Sequence, residues 1–231
     1  MECFSNRIEG ERRVTVEPIA DRRQHARNQP SKTNRWPRTP RRQARVRSVI
    51  ERRQPDLTVV LEDVHDPHNV SAVLRSCDAV GIMTVHLVYA IEAVPKSVFA
   101  RTTSASAAKW VAARRHESIG DCYAALRADG FSILATTLTG QSLDLYEHDL
   151  VAPVALIFGN EMRGLSKGAI DEADGQIAIP MIGMVQSLNI SVACAVTLYE
   201  AFRQRRVAGR YDRPQLTDQD REALEEEWIK R

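Results

Sequence analysis

Short apolar runs rich in β-branched residues alternate with amphipathic segments along most of the chain. Such runs are typical of buried strands, whereas apolar residues spaced by three and four positions are typical of helices. The predicted strands are 57–62, 84–89, 131–136, 153–158 and 176–179. The predicted helices are 40–54, 69–80, 119–128, 165–173, a long helix after Ser187 and a last helix over 217–231. This alternation predicts an α/β fold in which helices cover both faces of a parallel sheet.

The first 40 residues differ in composition from the rest of the chain. Arg, Gln, Asn and Pro dominate this segment, and no apolar periodicity is present, so it cannot bury enough surface to offset its ordering entropy. Residues 1–56 contain 15 Lys and Arg against 7 Asp and Glu, whereas residues 57–200 contain 9 against 16. A flexible basic segment is either a solvated linker or an arm that neutralises the phosphates of a nucleic acid.

These observations predict four parts. They are a flexible basic N-terminal extension over 1–40, an N-terminal helix over 41–56, a main α/β domain over 57–209 and a C-terminal helical extension over 210–231.

Composition also excludes several classes of protein. Hydrophobic residues make up 43% of the chain, which is enough for a sizeable core, and the uncharged apolar-rich stretch Ala79–Ile91 is too short to span a bilayer. The four cysteines are widely spaced, and no Cys-x-x-Cys pair offers a zinc ribbon or a dithiol motif. No secretory leader pattern opens the sequence. We therefore expect a reduced, cytoplasmic protein that binds neither membrane nor metal.

The segment 65–81 contains the first candidate chemistry. Asn69 lies near the first turn of a predicted helix, where its side chain either caps the helix or faces a ligand. Arg75 lies six residues further along the same helix. The structural alternative for Arg75 is a solvated arginine paired with Asp78, which shares its face of the helix.

The second segment is the strand 153–158, which ends in Gly-Asn-Glu. The Lys-Ser/Thr pair of a P-loop is absent, because Leu165 and Ser166 follow Gly164. Ligands of open α/β sheets collect at the carboxyl ends of strands, and Gly159 at such an end lets a ligand approach the backbone closely.

The third segment is 179–193. Pro180 ends a strand, and Ser187 and Asn189 follow at the start of a long helix, where they can cap it or bind a polar ligand. Met181 and Met184 offer adaptable apolar contacts, unless they are ordinary core residues.

Together, these three segments resemble the three motifs of the SPOUT-class RNA methyltransferases, specifically the TrmH family of tRNA ribose 2′-O-methyltransferases. The resemblance covers about residues 45–211 and is densest over 179–201. The matching residues, motif by motif, are Asn69 and Arg75, then Gly159 and Glu161, then Ser187, Leu188 and Asn189.

The resemblance implies a SPOUT-type parallel sheet with a C-terminal trefoil knot, a homodimer, and S-adenosylmethionine (SAM) as the methyl donor, with no metal. The long N-terminal extension departs from the more compact pattern of the family. Backbone around six positions would hold the cofactor: Thr136, Leu138, Gly159, Ile179, Met181 and Leu188.

The resemblance also implies roles for the catalytic residues. Arg75 would be the principal catalytic residue, and Asn69 would position it or the ribose. Glu161, Ser187 and Asn189 would shape the donor and guanosine sites.

The implied reaction is methylation of the ribose 2′-hydroxyl of a guanosine in tRNA, at position 18 in the D-loop. Arginine is a poor base, because its pKa is about 12.5 or higher. Either a substrate phosphate helps Arg75 to take the hydroxyl proton, or Arg75 stays charged and orients the ribose while another group accepts the proton. The alternative functions are a ribosomal RNA ribose 2′-O-methyltransferase and a non-catalytic RNA-binding module.

Overall fold

Helices and strands alternate along residues 39–91 and 107–231, which are the residues that the structure, a computed structural model, describes. The helices are α1 (Pro40–Ile50), α2 (Pro67–Val80), α3 (Ile119–Ala128), α4 (Lys167–Asp171), α5 (Ile190–Val207) and α6 (Asp218–Lys230). The strands are β1 (Leu57–Glu62), β2 (Thr84–Val88), β3 (Ala112–His116), β4 (Ser132–Thr136), β5 (Leu143–Asp144), β6 (Val154–Phe158) and β7 (Gly175–Ala178). Residues 1–38 of the predicted basic extension lie outside the described residues. The predicted boundaries between the four parts of the chain stay predictions.

The seven strands form one sheet in the order β3-β2-β1-β6-β4-β7-β5, and every neighbouring pair is parallel. This confirms the predicted parallel α/β sheet. All six residues of β1 are buried, because helices cover both faces of a sheet at its centre.

Alternate side chains of the central strands enter two separate cores. Val59 and Leu61 of β1 pack in the core that contains buried residues of α2 and α5. Val60 points to the opposite face, where it packs in the core that contains buried residues of α3 and α4. The helices therefore lie in two layers, one on each face of the sheet.

The first and last helices pack on each other in a third core, built from Val46, Ile50 and Trp228. Thr39 caps α1 and Pro40 fills its first turn, while Thr217 caps α6. The helix α1 ends at Ile50, four residues before the predicted end at Gln54. None of the described helices is both long and apolar enough to cross a bilayer.

Two strands were not predicted. The sequence of β3, Ala-Ala-Arg-Arg-His, carries no large apolar residue, and four of its five residues are exposed because it lies at an edge of the sheet. The other, β5, has only two residues and lies at the opposite edge. Sequence periodicity fails for both because neither strand presents an alternating buried face.

The strand β7 lies between β4 and β5, although only residues 137–142 separate those two strands in sequence. Thr136 and Leu143 both pair with Ile177, so the segment 137–142 crosses β7 at that level. Thr139 Oγ1 donates a hydrogen bond to Gln176 Oε1 across the crossing, at 2.5 Å. We call residues 137–142 the bridge. The trefoil knot implied by the resemblance stays a prediction.

Candidate functional site

A cavity of about 550 Å³ opens at the carboxyl ends of β4, β6 and β7 and at the start of α5. Its size falls within the range of small-molecule and cofactor sites. All six residues that the resemblance assigns to the cofactor line this cavity: Thr136, Leu138, Gly159, Ile179, Met181 and Leu188. Three of the five predicted catalytic residues also line it: Glu161, Ser187 and Asn189.

A tight turn after β6 forms one wall of the cavity. The backbone N–H groups of Asn160 and Gly164 donate to each other's carbonyl oxygens, at 3.0 and 2.8 Å. The side-chain oxygen of Asn160 accepts from the N–H groups of Met162 and Arg163 inside the same turn. The turn is therefore fixed by its own hydrogen bonds before any ligand binds.

The structure gives a reason for glycine at position 159 that the sequence did not reveal. A Cβ atom at this position would lie 2.3–2.4 Å from backbone atoms of Gly164 and Leu165. The close approach that requires glycine is thus made by the protein's own turn, in addition to any approach by a ligand.

Two acidic residues at the end of β1 anchor this wall, and sequence reasoning did not select them. The buried carboxylate of Glu62 accepts from the N–H and the hydroxyl of Ser166, at 2.8 and 2.7 Å. The carbonyl of Asp63 accepts from Asn160 Nδ2 at 2.9 Å, and Asp63 adopts a left-handed backbone with φ of 51°. Glu62, at the end of a strand that is buried at every position, was the available signal, because a buried carboxylate needs partners.

A chain of hydrogen bonds joins the three sequence motifs at the cavity. Asn69 Nδ2 donates to Glu161 Oε1 at 2.6 Å, and Asn189 Nδ2 donates to Asn69 Oδ1 at 3.2 Å. We call these three residues the Asn-Glu-Asn cluster. Since its members are separated by 92 and 120 residues, only the fold brings them together.

The cluster is held by helix ends. Asn189 is the N-cap of α5, and its Oδ1 accepts from the N–H and the hydroxyl of Ser191. The cap of α2 is Asp66, so the interpretation of Asn69 as a helix cap is wrong. That interpretation failed because α2 begins two residues earlier than predicted, with Pro67 in its first turn.

Arg75 lies on an exposed part of α2 and is not among the residues that line the cavity. The alternative in which it pairs with Asp78 is wrong, because Asp78 accepts from Arg53 at 2.6 Å. Within the described part of the chain, Arg75 makes no hydrogen bond or ion pair. Its guanidinium is therefore available to a group from outside the described part of the chain.

The segment between β7 and α5 is largely exposed. Met181 lines the cavity, whereas Met184 is 99% exposed, so the alternative in which both are core residues is wrong. Ile182 and Val185 are also exposed, at 101% and 63%. Exposed apolar residues are therefore grouped in this segment, next to the cavity.

The fold and the cavity define a class of protein: a parallel α/β protein with a cofactor-sized cavity where its strands end. Residues 56–199 match the SpoU rRNA methylase family, so the chain belongs to that family and is a methyltransferase.

Two named relatives are similar to the chain in sequence. The chain is 46% identical to the tRNA (guanosine(18)-2′-O)-methyltransferase of Thermus thermophilus over 84% of this chain and 98% of the relative. It is 48% identical to the Escherichia coli protein of the same name over 74% of each chain.

Two solved structures have the same fold. The Aquifex aeolicus TrmH/SpoU tRNA modifying enzyme superposes with a TM-score of 0.73 at 36% identity, over 82% of this chain and 95% of that one. The SpoU methyltransferase AviRb from Streptomyces viridochromogenes, in complex with the cofactor AdoMet, superposes with a TM-score of 0.57 at 32% identity, over 69% and 62% of the two chains.

Proposed function

We propose that the protein transfers a methyl group from SAM to the ribose 2′-hydroxyl of guanosine 18 in tRNA. The observation that carries this proposal is the Asn-Glu-Asn cluster, which joins all three motifs of a ribose methyltransferase beside one cavity. The names of the relatives from Thermus thermophilus and Escherichia coli support guanosine 18 as the target.

The cavity is proposed to hold SAM, whose sulfonium supplies an activated methyl group. The AdoMet complex of the AviRb structure supports this choice of cofactor. Backbone at the ends of β4 and β7 and at the turn after β6 would hold the adenosyl and methionine parts. The residues proposed to make these contacts are Thr136, Leu138, Gly159, Ile179, Met181 and Leu188.

The protein's own part in the reaction is to align the ribose and to manage its proton. A 2′-hydroxyl is a weak nucleophile, so it has to be positioned in line with the methyl group and to lose its proton. We assign Arg75 as the principal catalytic residue, which contacts the ribose from the exposed side of α2. Asn69, Glu161, Ser187 and Asn189 position the ribose and the guanosine. The proton goes either to a substrate phosphate together with Arg75, or to another acceptor while Arg75 stays charged.

The active form is proposed to be a homodimer. The exposed apolar residues near the cavity continue from the segment before α5 onto the helix itself, where Val192 is 47% and Tyr199 54% exposed. Covering such a surface with a second copy removes apolar area from water. Replacing Val192 and Tyr199 by Asp should therefore shift the protein to a monomer in sedimentation experiments; a variant that sediments like the wild-type protein would refute this interface.

The activity is tested with purified tRNA and ribosomal RNA as parallel substrates. We expect methyl transfer from SAM to tRNA alone, and nucleotide-resolved mapping should place the new 2′-O-methyl group at guanosine 18. Incorporation only into ribosomal RNA would establish the alternative substrate. Absence of any SAM binding in calorimetry would instead indicate a non-catalytic RNA-binding module.

The assigned role of Arg75 predicts a specific kinetic result. Arg75→Ala should abolish methylation almost completely while SAM affinity stays close to that of the wild-type protein, because Arg75 lies outside the cavity lining. Ser76→Ala on the same helix is the matched control and should retain activity. Substantial turnover by Arg75→Ala would overturn the assignment.

A further inference from the structure

Two histidines and a cysteine meet on the face of the sheet that α3 covers. His86 lies on β2, His116 ends β3 and Cys122 lies in the first half of α3. Their ligand atoms, one imidazole nitrogen from each histidine and the cysteine Sγ, all lie within 4.8 Å of one another. The site is separate from the cavity, whose lining contains none of these residues.

The local structure explains why these three residues meet. The strands β2 and β3 are parallel with Val88 opposite His116, so His86 and His116 are diagonal neighbours on one face. Their rings stack with centroids 5.1 Å apart, and His86 Nδ1 lies 2.8 Å from His116 Nε2. His86 is 5% exposed and Cys122 is fully buried, whereas His116 is only partly covered.

We propose that His86, His116 and Cys122 form a binding site for one Zn²⁺ ion. Two imidazole nitrogens and one thiolate are a ligand set that zinc prefers, with a fourth position left for water. The partly exposed side of His116 provides access for the ion and for that water. Tetrahedral zinc with Zn–N distances of about 2.0–2.1 Å separates two nitrogens by about 3.3 Å, so the imidazoles need to part by only about 0.5 Å.

Binding requires a balanced exchange of protons. Burial raises the pKa of the Cys122 thiol to about 12, so this thiol is protonated when no metal is bound. Zn²⁺ forms a bond to the sulfur and displaces its proton to water. The two imidazoles bind as neutral rings and release no net proton. The nitrogen that donates in the hydrogen bond between His86 Nδ1 and His116 Nε2 gives up its hydrogen, and the other nitrogen of the same ring takes one up from water.

The position of this site, between an edge strand and the helix that covers it, indicates a structural role for the ion. The edge strand β3 contributes no residue to either core of the sheet, since four of its five residues are exposed. A metal bound by β2, β3 and α3 cross-links this edge to the layer above it. The sequence gives no metal motif because 30 residues separate the two histidines, and the fold alone brings them together.

The test uses the untagged full-length protein after removal of metals with a chelator. Addition of CoCl₂ should produce a thiolate-to-cobalt charge-transfer band and the visible bands of tetrahedral Co²⁺ at one equivalent per chain. ZnCl₂ should then displace the cobalt and raise the melting temperature. Cys122→Ser should remove the charge-transfer band, and His116→Gln should weaken Zn²⁺ binding by at least about 100-fold, since loss of even an indirect contact costs 10–100-fold.

Two matched controls replace a cysteine and a histidine elsewhere. Cys194→Ala and His148→Gln should bind cobalt with the wild-type spectrum, and circular dichroism confirms that each variant is folded. The proposal is overturned if the folded wild-type protein shows no charge-transfer band at saturating cobalt, or if the band persists in Cys122→Ser. Either result would leave the two histidines as a hydrogen-bonded pair without a metal.

Discussion

At the scale of single residues, the site depends on side chains that are positioned by hydrogen bonds to other side chains. Asn69 uses both ends of its amide, since its nitrogen donates to Glu161 and its oxygen accepts from Asn189. The bond to the carboxylate is short, at 2.6 Å, as expected where one partner is ionised. A residue that makes two such bonds fixes the relative position of two loops as well as its own.

Asn69→Ala is therefore expected to lower kcat/KM for tRNA by about 10- to 100-fold, because a hydrogen bond to a charged group contributes about 1.5–3 kcal/mol. Steady-state kinetics with SAM and tRNA measure the loss. Thermal unfolding should change little, since Asn69 is not part of a buried core. A variant with wild-type kinetics would show that the Asn-Glu-Asn cluster does not position the reacting groups.

At the scale of elements, α5 connects the site, at the carboxyl ends of the strands, to the amino ends of the central strands β1 and β6. Its first residue follows Asn189 at the cavity, and Arg205 near its last turn is fully buried. The Arg205 guanidinium donates to the Asp56 carboxylate at 2.6 Å and to carbonyl oxygens of Leu150 and Ala152 at 2.9 and 2.8 Å. Asp56 and Ala152 lie just before β1 and β6, so one side chain fixes the helix to both central strands.

Removing this charge should be costly, because Asp56 would keep its partly buried carboxylate with fewer partners. Arg205→Met is expected to lower the free energy of unfolding by about 3–5 kcal/mol, as measured by urea denaturation. The exposed neighbour offers the control, and Arg206→Ala should change stability by no more than about 0.5 kcal/mol. Equal stabilities of the two variants would contradict the role given to Arg205.

At the scale of the whole molecule, the sequence predicts the strands and helices whose apolar residues recur at a regular spacing, and it misses the strands that lack such a spacing. The five buried or half-buried strands and all six α-helices of the described residues follow from apolar spacing. The edge strand β3 is not predicted, because its residues face water rather than a core.

The candidate site likewise contains some residues that the sequence predicts and others that it does not. Residues such as Gly159 and Ser187 are assigned to it through the motif resemblance; both line the cavity, and their roles stay predictions. The partners of Asn69 could not be read from the sequence, because they depend on how distant loops approach each other. The role of Glu62 could not be read from the sequence either, because its hydrogen-bond partner, Ser166, lies 104 residues away along the chain.

The bridge over β7 has a consequence for the order in which the molecule can assemble. Because six residues tether β4 to β5, either β7 inserts between two strands that are already joined, or β5 pairs only after β7 is in place. The cavity borders both the bridge and the end of β7, so it exists only once β7 has paired with its neighbours. Loss of the pocket by unfolding therefore accompanies the separation of β7 from β4 and β5, so the pocket and this side of the sheet open together.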